Sequence, residues 1–195
     1  MAQPDAAKRM LEVIDESGMG VDLLINNAGY GDADDFLGLT WESIQAMLQV
    51  MLVTLTELCY LFIKKNLGAR KVYIINVASI VGLMELSLKR RKPRVLYRPI
   101  KTFVVSFTKQ LAACYKAEAI KVQALCPGLT YSDFHNRIGE PGLYTSTPKW
   151  MWSTSESVVN QSLMSLSTSN KTVVLPGWHN KCIVLLSRLR GVIKK

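Results

Sequence analysis

Few cysteines occur in this sequence, and their spacing does not suggest a metal site or a disulfide framework. Its 195 residues include four cysteines, far apart, with no CxxC pair and no Cys/His cluster: Cys59, Cys114, Cys126 and Cys182. A zinc site needs closely spaced Cys and His ligands, and disulfide frameworks belong to oxidising compartments. We therefore expect no metal and a reducing, cytoplasmic environment.

The sequence also lacks the long apolar runs of membrane proteins. No run approaches the ~20 consecutive apolar residues that a spanning helix needs. The first ten residues, MAQPDAAKRM, have no apolar core and do not resemble a signal peptide. Apolar residues make up 49% and charged residues 20%, which is ordinary for a globular chain. We expect one soluble domain over residues 1–195, without a membrane span.

Acidic residues are under-represented. There are 15 Asp and Glu against 24 Lys and Arg, which gives a net charge of +9. Such an excess favours an anionic partner, whether a polyanion, a membrane surface or an anionic cofactor. The sequence carries no aromatic platform or recognition motif for nucleic acid, so we expect no nucleic-acid partner.

Apolar periodicity predicts strands that alternate with long helices. Helical spacing covers 5–17, 41–66, 97–117 and 156–166, followed by a short basic amphipathic helix, with Thr40 and Ser153 as expected N-terminal caps. Apolar runs predict strands over 21–25, 71–77, 121–125 and 172–175. The Gly/Pro/Ser/Thr-rich segment from Pro127 to Pro148 is predicted to be a long surface loop. This order indicates an α/β fold with a parallel sheet that binds ligands at its carboxyl edge.

Two of the turns at that edge follow the first two strands. Asn26-Asn27-Ala28-Gly29 is either a satisfied turn or a place where small residues admit a ligand and the amides bridge neighbouring strands. Ser79 follows the second strand, where its hydroxyl is either a helix cap or a donor to a substrate oxygen.

Two further groups follow later in the chain. Tyr97 and Lys101 are four residues apart and share one helix face. A phenol has a pKa of ~10, and an ammonium beside it lowers that pKa and makes the phenol a usable acid or base. The alternative is an ordinary exposed helix face. The last group, Cys126 to Ser132, turns sharply out of the third strand through Pro127-Gly128.

The order of these groups resembles the short-chain dehydrogenase/reductase family over essentially the whole chain: strand and NNAG, strand and Ser, a YxxxK helix, strand and PG. The segments WESIQAMLQ, INVAS, ALCPGLTYSDFH and VVLPGWHNK are most similar to the DltE-like bacterial reductases of that family. The resemblance implies a Rossmann-type doubly wound sheet, NAD or NADP as cofactor, and hydride transfer to or from a small-molecule carbonyl or secondary alcohol.

The resemblance also implies a role for each group. Ser79 would hold the substrate oxygen, Tyr97 would pass the proton, and Lys101 would bind the nicotinamide ribose and lower the tyrosine pKa. The segment from Phe134 to Trp152 would be a variable substrate lid. The remaining cofactor contacts fall on the adenosine side at Asn26, Ala28 and Gly29, and on the carboxamide side at Pro127, Gly128, Leu129 and Ser132.

The sequence departs from the family pattern in three places. No strand with TGxxxGxG precedes the first predicted strand, and no GxGxxG occurs anywhere, so we expect a partial sheet, the C-terminal two-thirds of the fold, with an open edge at its first strand. Met51 stands where the family carries an Asn of its proton relay, and a thioether cannot donate a hydrogen bond. Lys89 to Arg94 holds five cations in six positions, as a solvated loop, a corrupted reading frame, a nuclear-import-like tag or a phosphate clamp.

Two functional hypotheses follow. The first is an NAD(P)-dependent oxidoreductase, and the second is a catalytically impaired remnant that retains the oligomerisation helices. In the family the two long helices pack against a second subunit, so a homo-oligomer is expected. The side chains that supply either this face or the intrachain core are Leu55, Leu58, Phe62, Phe103, Phe107 and Leu111.

Overall fold

A computed structural model describes residues 1–31, 35–85, 95–137 and 142–193. The basic segment from Lys89 to Arg94 lies outside these ranges. In chain order the elements are α1 (Ala6–Glu16), β1 (Leu23–Asn26), α2 (Trp41–Leu48), α3 (Leu55–Asn66), β2 (Val72–Val77), α4 (Tyr97–Cys114), β3 (Ile120–Leu125), β4 (Thr130–Tyr131), α5 (Phe134–Arg137), α6 (Leu143–Ser146), β5 (Ser153–Thr154), α7 (Ser155–Thr168), β6 (Val173–Val174) and α8 (Trp178–Ile193).

The main sheet has four parallel strands in the order β1-β2-β3-β6. Asn26 pairs with Asn76 across β1 and β2, and Val77 pairs with Leu125 across β2 and β3. All three long strands therefore end at the same edge of the sheet. The predicted Rossmann-type α/β fold with a parallel sheet is confirmed. Within the described residues no strand pairs with the outer flank of β1, where Ile25 is exposed.

The long helix predicted over 41–66 is present, with a local change of geometry inside it. The Thr40 side chain accepts a hydrogen bond from the Ser43 amide at 3.2 Å, which confirms the predicted cap. A π-helical segment, Gln49–Thr54, joins α2 to α3. Segments of this kind are rare and often occur at functional sites, and this one carries Met51.

By length and composition alone, the helix from Trp41 to Asn66 is long and apolar enough to cross a membrane. Half of its most apolar stretch is buried against the rest of the chain. Core helices of soluble proteins pass the same test, and the packing of α3 explains its apolar composition without a bilayer.

The core lies between α3, α4 and the sheet, where burial of apolar side chains supplies most of the stabilisation. Its members include Leu55, Phe62, Ile74, Val104 and Val122. This packing shows which of the side chains expected to form either a subunit face or the core lie in the core. Leu55, Leu58 and Phe62 are buried, Phe107 and Leu111 pack against the core, and Phe103 is exposed.

Two local predictions were wrong. The expected loop from Pro127 to Pro148 contains β4, α5 and α6. The cap of α7 is Thr154, which accepts from the Ser157 amide at 3.1 Å, rather than Ser153. Ser153 instead donates its main-chain N–H to the Leu129 carbonyl at 2.9 Å, so it lies in β5 and the helix begins later.

Candidate active site

The ends of β2 and β3 are tied together by main-chain hydrogen bonds beyond the sheet itself. The Ala78 amide donates to the Leu125 carbonyl at 2.7 Å, and the Ile80 amide donates to the Pro127 carbonyl at 2.8 Å. The Ser79 turn and the Pro127 turn are therefore neighbours, as expected for parallel strands that end at one edge.

Ser79 lies at the start of a short 3₁₀ turn, Ile80–Gly82. Its half-buried hydroxyl accepts a hydrogen bond from the Val81 amide at 3.4 Å. The turn packs closely on α4, because a Cβ atom at Gly82 would lie 2.6 Å from the Lys101 carbonyl oxygen. Only glycine permits this approach, which places Ser79 beside the first turns of α4.

Tyr97 and Lys101 share one face of α4, as the spacing predicts. The Lys101 Nζ lies 5.7 Å from the centre of the Tyr97 ring and donates a hydrogen bond to the Val77 carbonyl at 2.8 Å. Only 6% of Lys101 is exposed. The ammonium is thus held at the end of β2. Pro99 lies in the first turn of α4. Proline is tolerated there because a main-chain N–H in this turn would have no acceptor within the helix.

Burial lowers the pKa of Lys101 from 10.5 to about 8, since the charged form loses its hydration. An ionised Cys126 would raise the pKa of Lys101. Burial raises the pKa of Cys126 itself to about 12, although the nearby charge of Lys101 lowers it by a smaller amount. Near neutral pH the thiol is uncharged. Desolvation therefore decides the ionisation of Lys101.

Gly29 provides a bare stretch of main chain beside this ammonium. A Cβ atom at Gly29 would lie 3.2 Å from Met51 Cε and 3.7 Å from Lys101 Nζ. Met51 is buried in one apolar cluster with Met47, Val50 and Ile100, and Tyr97 packs against the same cluster. The structure thus places Met51 next to Tyr97 and Lys101, where the family resemblance predicts it. Ile100, next to Lys101 in the sequence, is a buried member of this cluster.

The Asn26 amide bridges β1 and β2. Its Nδ2 donates to Asn76 Oδ1 at 2.8 Å and to Cys59 Sγ at 3.3 Å, and Asn76 Nδ2 donates onward to Thr108 Oγ1 at 3.0 Å. Burial raises the pKa of Cys59 to about 12, although its hydrogen bonds with the side chains of Asn76 and Asn26 act in the opposite direction. The predicted bridging of neighbouring strands is confirmed. Ala28 and Gly29 follow on the exposed part of the turn.

The Pro127-Gly128 turn is backed by a residue that sequence reasoning missed. A Cβ atom at Gly128 would lie 2.1 Å from Asn180 Oδ1, and the buried Asn180 donates from Nδ2 to the Pro176 carbonyl at 2.7 Å. The only sequence signal was the segment VVLPGWHNK, which contains Asn180. Leu129 is held by Ser153, whereas Ser132 is exposed, with Oγ 3.5 Å from the Thr130 carbonyl.

A group of aromatic side chains begins next to Tyr97 and extends through the segment expected to be the lid. The Phe134 ring lies 5.7 Å from the Tyr97 ring, centre to centre. Further rings follow: Tyr144 lies 4.6 Å from Trp152, and Tyr131 lies 5.0 Å from Trp152. These side chains belong to the segment expected to be a substrate lid or precede it directly. Residues 138–141 of that segment lie outside the described ranges.

The arrangement suits proton transfer beside a bound nicotinamide ribose. A half-buried phenol, a buried ammonium and a half-buried hydroxyl lie at the carboxyl edge of the sheet, beside the turns at Gly29 and Gly82. This fits the nicotinamide half of a dinucleotide. The described ranges contain no glycine-rich turn from a strand into a helix at the β1 side of the sheet, where the pyrophosphate half would be bound. They also contain no group of three or more potential metal-ligating side chains.

Comparison with known proteins supports the same interpretation. A family model of short chain dehydrogenases matches residues 1–141. An uncharacterized oxidoreductase, YvrD of Bacillus subtilis, is 26% identical over 133 residues, which cover 68% of this chain and 48% of that protein. The 3-oxoacyl-[acyl-carrier-protein] reductase FabG of Vibrio cholerae is 24% identical over 140 residues, covering 72% and 55% respectively. The chain thus spans about half the length of these curated relatives.

Solved structures share the fold at low identity. A 7beta-hydroxysteroid dehydrogenase superposes with a TM-score of 0.77 at 20% identity, over 97% of this chain and 69% of that one. A short-chain dehydrogenase from Sphingobium yanoikuyae in complex with NADPH gives 0.71 at 22%, over 89% and 65%. 4-hydroxyisoleucine dehydrogenase complexed with NADH gives 0.73 at 22%, over 91% and 77%. Together with the family match over residues 1–141, these findings show that the chain belongs to the short chain dehydrogenase family.

Proposed function

We propose that this protein is an NAD(P)-dependent oxidoreductase that acts on a carbonyl or a secondary alcohol. The observation that carries the proposal is the placement of Lys101, whose Nζ donates to the Val77 carbonyl and lies 5.7 Å from the centre of the Tyr97 ring, at the edge of the sheet where Ser79 also lies. Family membership and the carboxyl-edge location support the same chemistry.

Each of the three side chains has a task in this proposal. Tyr97 passes a proton to or from the substrate oxygen, and Ser79 holds that oxygen with its hydroxyl. Lys101 favours the phenolate by its charge and binds the ribose hydroxyls of the cofactor. A nicotinamide cofactor, NAD or NADP, supplies the hydride acceptor or donor.

The turns around this centre form the cofactor site in the proposal. Asn26, through its main chain, with Ala28 and Gly29, lines the adenosine side. The carboxamide side is formed by Pro127, Gly128, Leu129 and Ser132. Solved relatives with NADPH and with NADH support a nicotinamide cofactor.

The lid supplies the substrate side. The Phe134 ring contacts the Tyr97 ring, and the stacked rings of Tyr131, Tyr144 and Trp152 belong to the same aromatic group. Such rings bind apolar surface and exclude water from the reacting oxygen. We therefore propose that the substituents of the substrate carbonyl are apolar.

The wider assignment follows from the resemblance. We propose a cytoplasmic enzyme of the DltE-like group, of which this chain forms the C-terminal two-thirds of the domain. An open groove of about 650 Å³ between the two long helices is lined by Leu52, Val53, Thr56, Glu57, Tyr60 and Phe103. Its exposed apolar side chains support a homo-oligomer formed through these helices.

A direct experiment compares Tyr97→Phe with a matched control. The full chain is mixed with millimolar NADH or NADPH and a panel of apolar ketones, and loss of the reduced nicotinamide absorbance is followed. We expect measurable turnover that falls by roughly 10²-fold or more in Tyr97→Phe, because the transferable proton is gone. Tyr60→Phe, on the exposed face of α3, is expected to leave the rate unchanged.

The opposite results are equally clear. A Tyr97→Phe variant with the parent rate overturns the assignment of the proton donor. If the parent chain shows no turnover with any cofactor and ketone, the result favours the catalytically impaired remnant over the enzyme.

A further inference from the structure

One face of the C-terminal helix α8 packs against the rest of the protein. Asn180, Val184 and Ser187 follow one another at spacings of four and three residues, and the first two are buried while Ser187 is half-buried. Asn180 contacts the Gly128 turn, and Ser187 Oγ accepts a hydrogen bond from the Glu85 amide at 3.4 Å. These contacts fix which side of the helix faces outward.

The opposite face is an exposed apolar stripe. Trp178, Cys182, Leu185 and Leu189 recur at spacings of four, three and four residues, which places them in one line along a helix. Trp178 is 70% exposed, Leu185 59% and Leu189 51%, and Leu186 is exposed beside them. Soluble proteins rarely leave such a continuous apolar surface uncovered.

A second exposed tryptophan extends this stripe. Trp150, from the turn before β5, is 59% exposed, and its ring lies 6.3 Å from that of Trp178 in a stacked arrangement. Tryptophan is the side chain that favours the boundary between lipid headgroups and acyl chains. The surface formed by Trp150, Trp178, Cys182, Leu185 and Leu189 is called the α8 stripe below.

The charges along α8 have one sign. Lys181 and Arg188 are exposed and, seven residues apart, lie on the same edge of the α8 stripe. The sequence from Trp178 to Lys195 contains no Asp or Glu. A symmetric contact between two α8 helices would bring these cations together without a compensating acid on either helix, which disfavours a second copy as the partner. An anionic lipid surface satisfies both the apolar and the cationic parts.

We propose that the α8 stripe binds the surface of an anionic membrane, with the helix lying in the plane of the headgroups. Helices that combine Trp and Leu on one face with Lys and Arg at its edge bind membranes in this way. The location is accessible from outside, since α8 follows β6 at the edge of the sheet opposite β1. Trp150 belongs both to the α8 stripe and to the lid segment, and the opposite face of α8 contacts the Gly128 turn through Asn180.

Vesicle sedimentation tests the proposal on the full chain. Vesicles of phosphatidylcholine alone are compared with vesicles that also contain phosphatidylglycerol, at low and high salt. We expect the parent to bind the anionic vesicles with an affinity that weakens with salt. In the Leu185→Gln/Leu189→Gln variant this affinity should fall by about ten-fold or more. The Lys181→Glu/Arg188→Glu variant is expected to lose the preference for anionic lipid.

Two controls locate the binding surface. Leu37→Gln changes an exposed leucine far from α8 in sequence and is expected to bind like the parent. Val53→Gln/Tyr60→Gln changes the groove on the long apolar helix and is also expected to bind like the parent. If this groove variant releases the vesicles and the α8 variant does not, the proposal is overturned.

Two other outcomes also overturn it. One is the absence of binding to either kind of vesicle. The other is a dimer in lipid-free analytical ultracentrifugation that Leu185→Gln/Leu189→Gln converts to monomer, since the α8 stripe would then cover a second copy of the chain. Circular dichroism of each variant verifies that the fold is retained.

Discussion

Met51 and Lys101 meet at Gly29, where a Cβ atom would lie 3.2 Å from Met51 Cε and 3.7 Å from Lys101 Nζ. The thioether accordingly occupies the space beside the ammonium where the family resemblance would place a hydrogen-bonding Asn. Met51 and Ile100 belong to one buried apolar cluster, which holds the thioether in this place.

Met51→Asn should raise turnover when the chain is joined to the N-terminal half of a relative. Asn is smaller than Met and fits without overpacking, and its amide offers the donor and acceptor that a relay water needs. The free energy of unfolding should fall by about 2 kcal/mol, because a fully buried apolar side chain is lost. Steady-state kinetics and urea denaturation measure the two effects.

Met47→Asn is the matched control, since Met47 is buried in the same cluster, whereas the atoms nearest a Cβ at Gly29 belong to Met51 and Lys101. It should lose similar stability without any gain in turnover. An equal gain in both variants would show that loosening the cluster, rather than restoring a relay, raises the rate.

The buried ammonium of Lys101 should make stability depend on pH. Its pKa is lowered to about 8 in the folded chain, so between pH 8 and 10.5 the unfolded chain binds more protons than the folded one. The cost of burying the charge is therefore full below pH 8 and disappears as the pH rises toward 10.5. The free energy of unfolding of the parent should gain roughly 2–3 kcal/mol from this group between pH 7 and 10.

Lys101→Met should abolish that part of the pH dependence. Urea denaturation of parent and variant at pH 7 and pH 10 gives the difference directly, because other titrating groups cancel. Lys109→Met, at an exposed position of α4, should retain the parent dependence. A Lys101→Met variant with the parent slope would contradict the desolvation of this ammonium.

The chain by itself should bind NADH or NADPH only weakly, with a dissociation constant of roughly millimolar or above. The described residues supply the nicotinamide half of a site but no glycine-rich turn for the pyrophosphate, whose helix N-terminus contributes much of the affinity in this kind of fold. Isothermal calorimetry measures it, and ordinary micromolar binding would refute the expectation.

Asn26 and Asn76 should be energetically coupled. Their amides are joined across β1 and β2 at 2.8 Å in a buried environment, so either single change to Ala removes this hydrogen bond and leaves the other amide with only its weaker bond to Cys59 or its bond to Thr108. Each should lower the free energy of unfolding by roughly 1–3 kcal/mol, with a coupling of about 1 kcal/mol in the double-mutant cycle. Asn66, whose amide is bonded to the Phe62 carbonyl, gives a control cycle with Asn26 in which no coupling is expected.

Gly128→Ala should destabilise the turn after β3, because its Cβ would meet Asn180 Oδ1 at 2.1 Å. A loss of roughly 1–3 kcal/mol is expected from this overpacking. Asn180→Ala should relieve part of it, so the double variant should be more stable than the sum of the singles predicts. Simple additivity in thermal or urea denaturation would show that the contact is not the cause.

The parallel α/β order and the candidate site at its edge were predictable from local sequence. Apolar periodicity marks β1, β2 and β3, and parallel strands must end on one side, which brings Ser79 and the Pro127 turn together. Helical spacing alone places Tyr97 and Lys101 on one face. These features depend on contacts within a few residues or on chain direction, and periodicity encodes both.

Tertiary structure decided everything that depends on which distant side chains touch. Asn180 lies behind Gly128, Phe134 faces Tyr97, and Ile100 packs in one cluster with Met51. The members of each pair lie tens of residues apart in the chain. The π-helical segment at Gln49–Thr54 has no periodic signature of its own and carries Met51 within this packing. Such contacts are selected by close packing of the whole core, in which shape complementarity across the chain outweighs local preference.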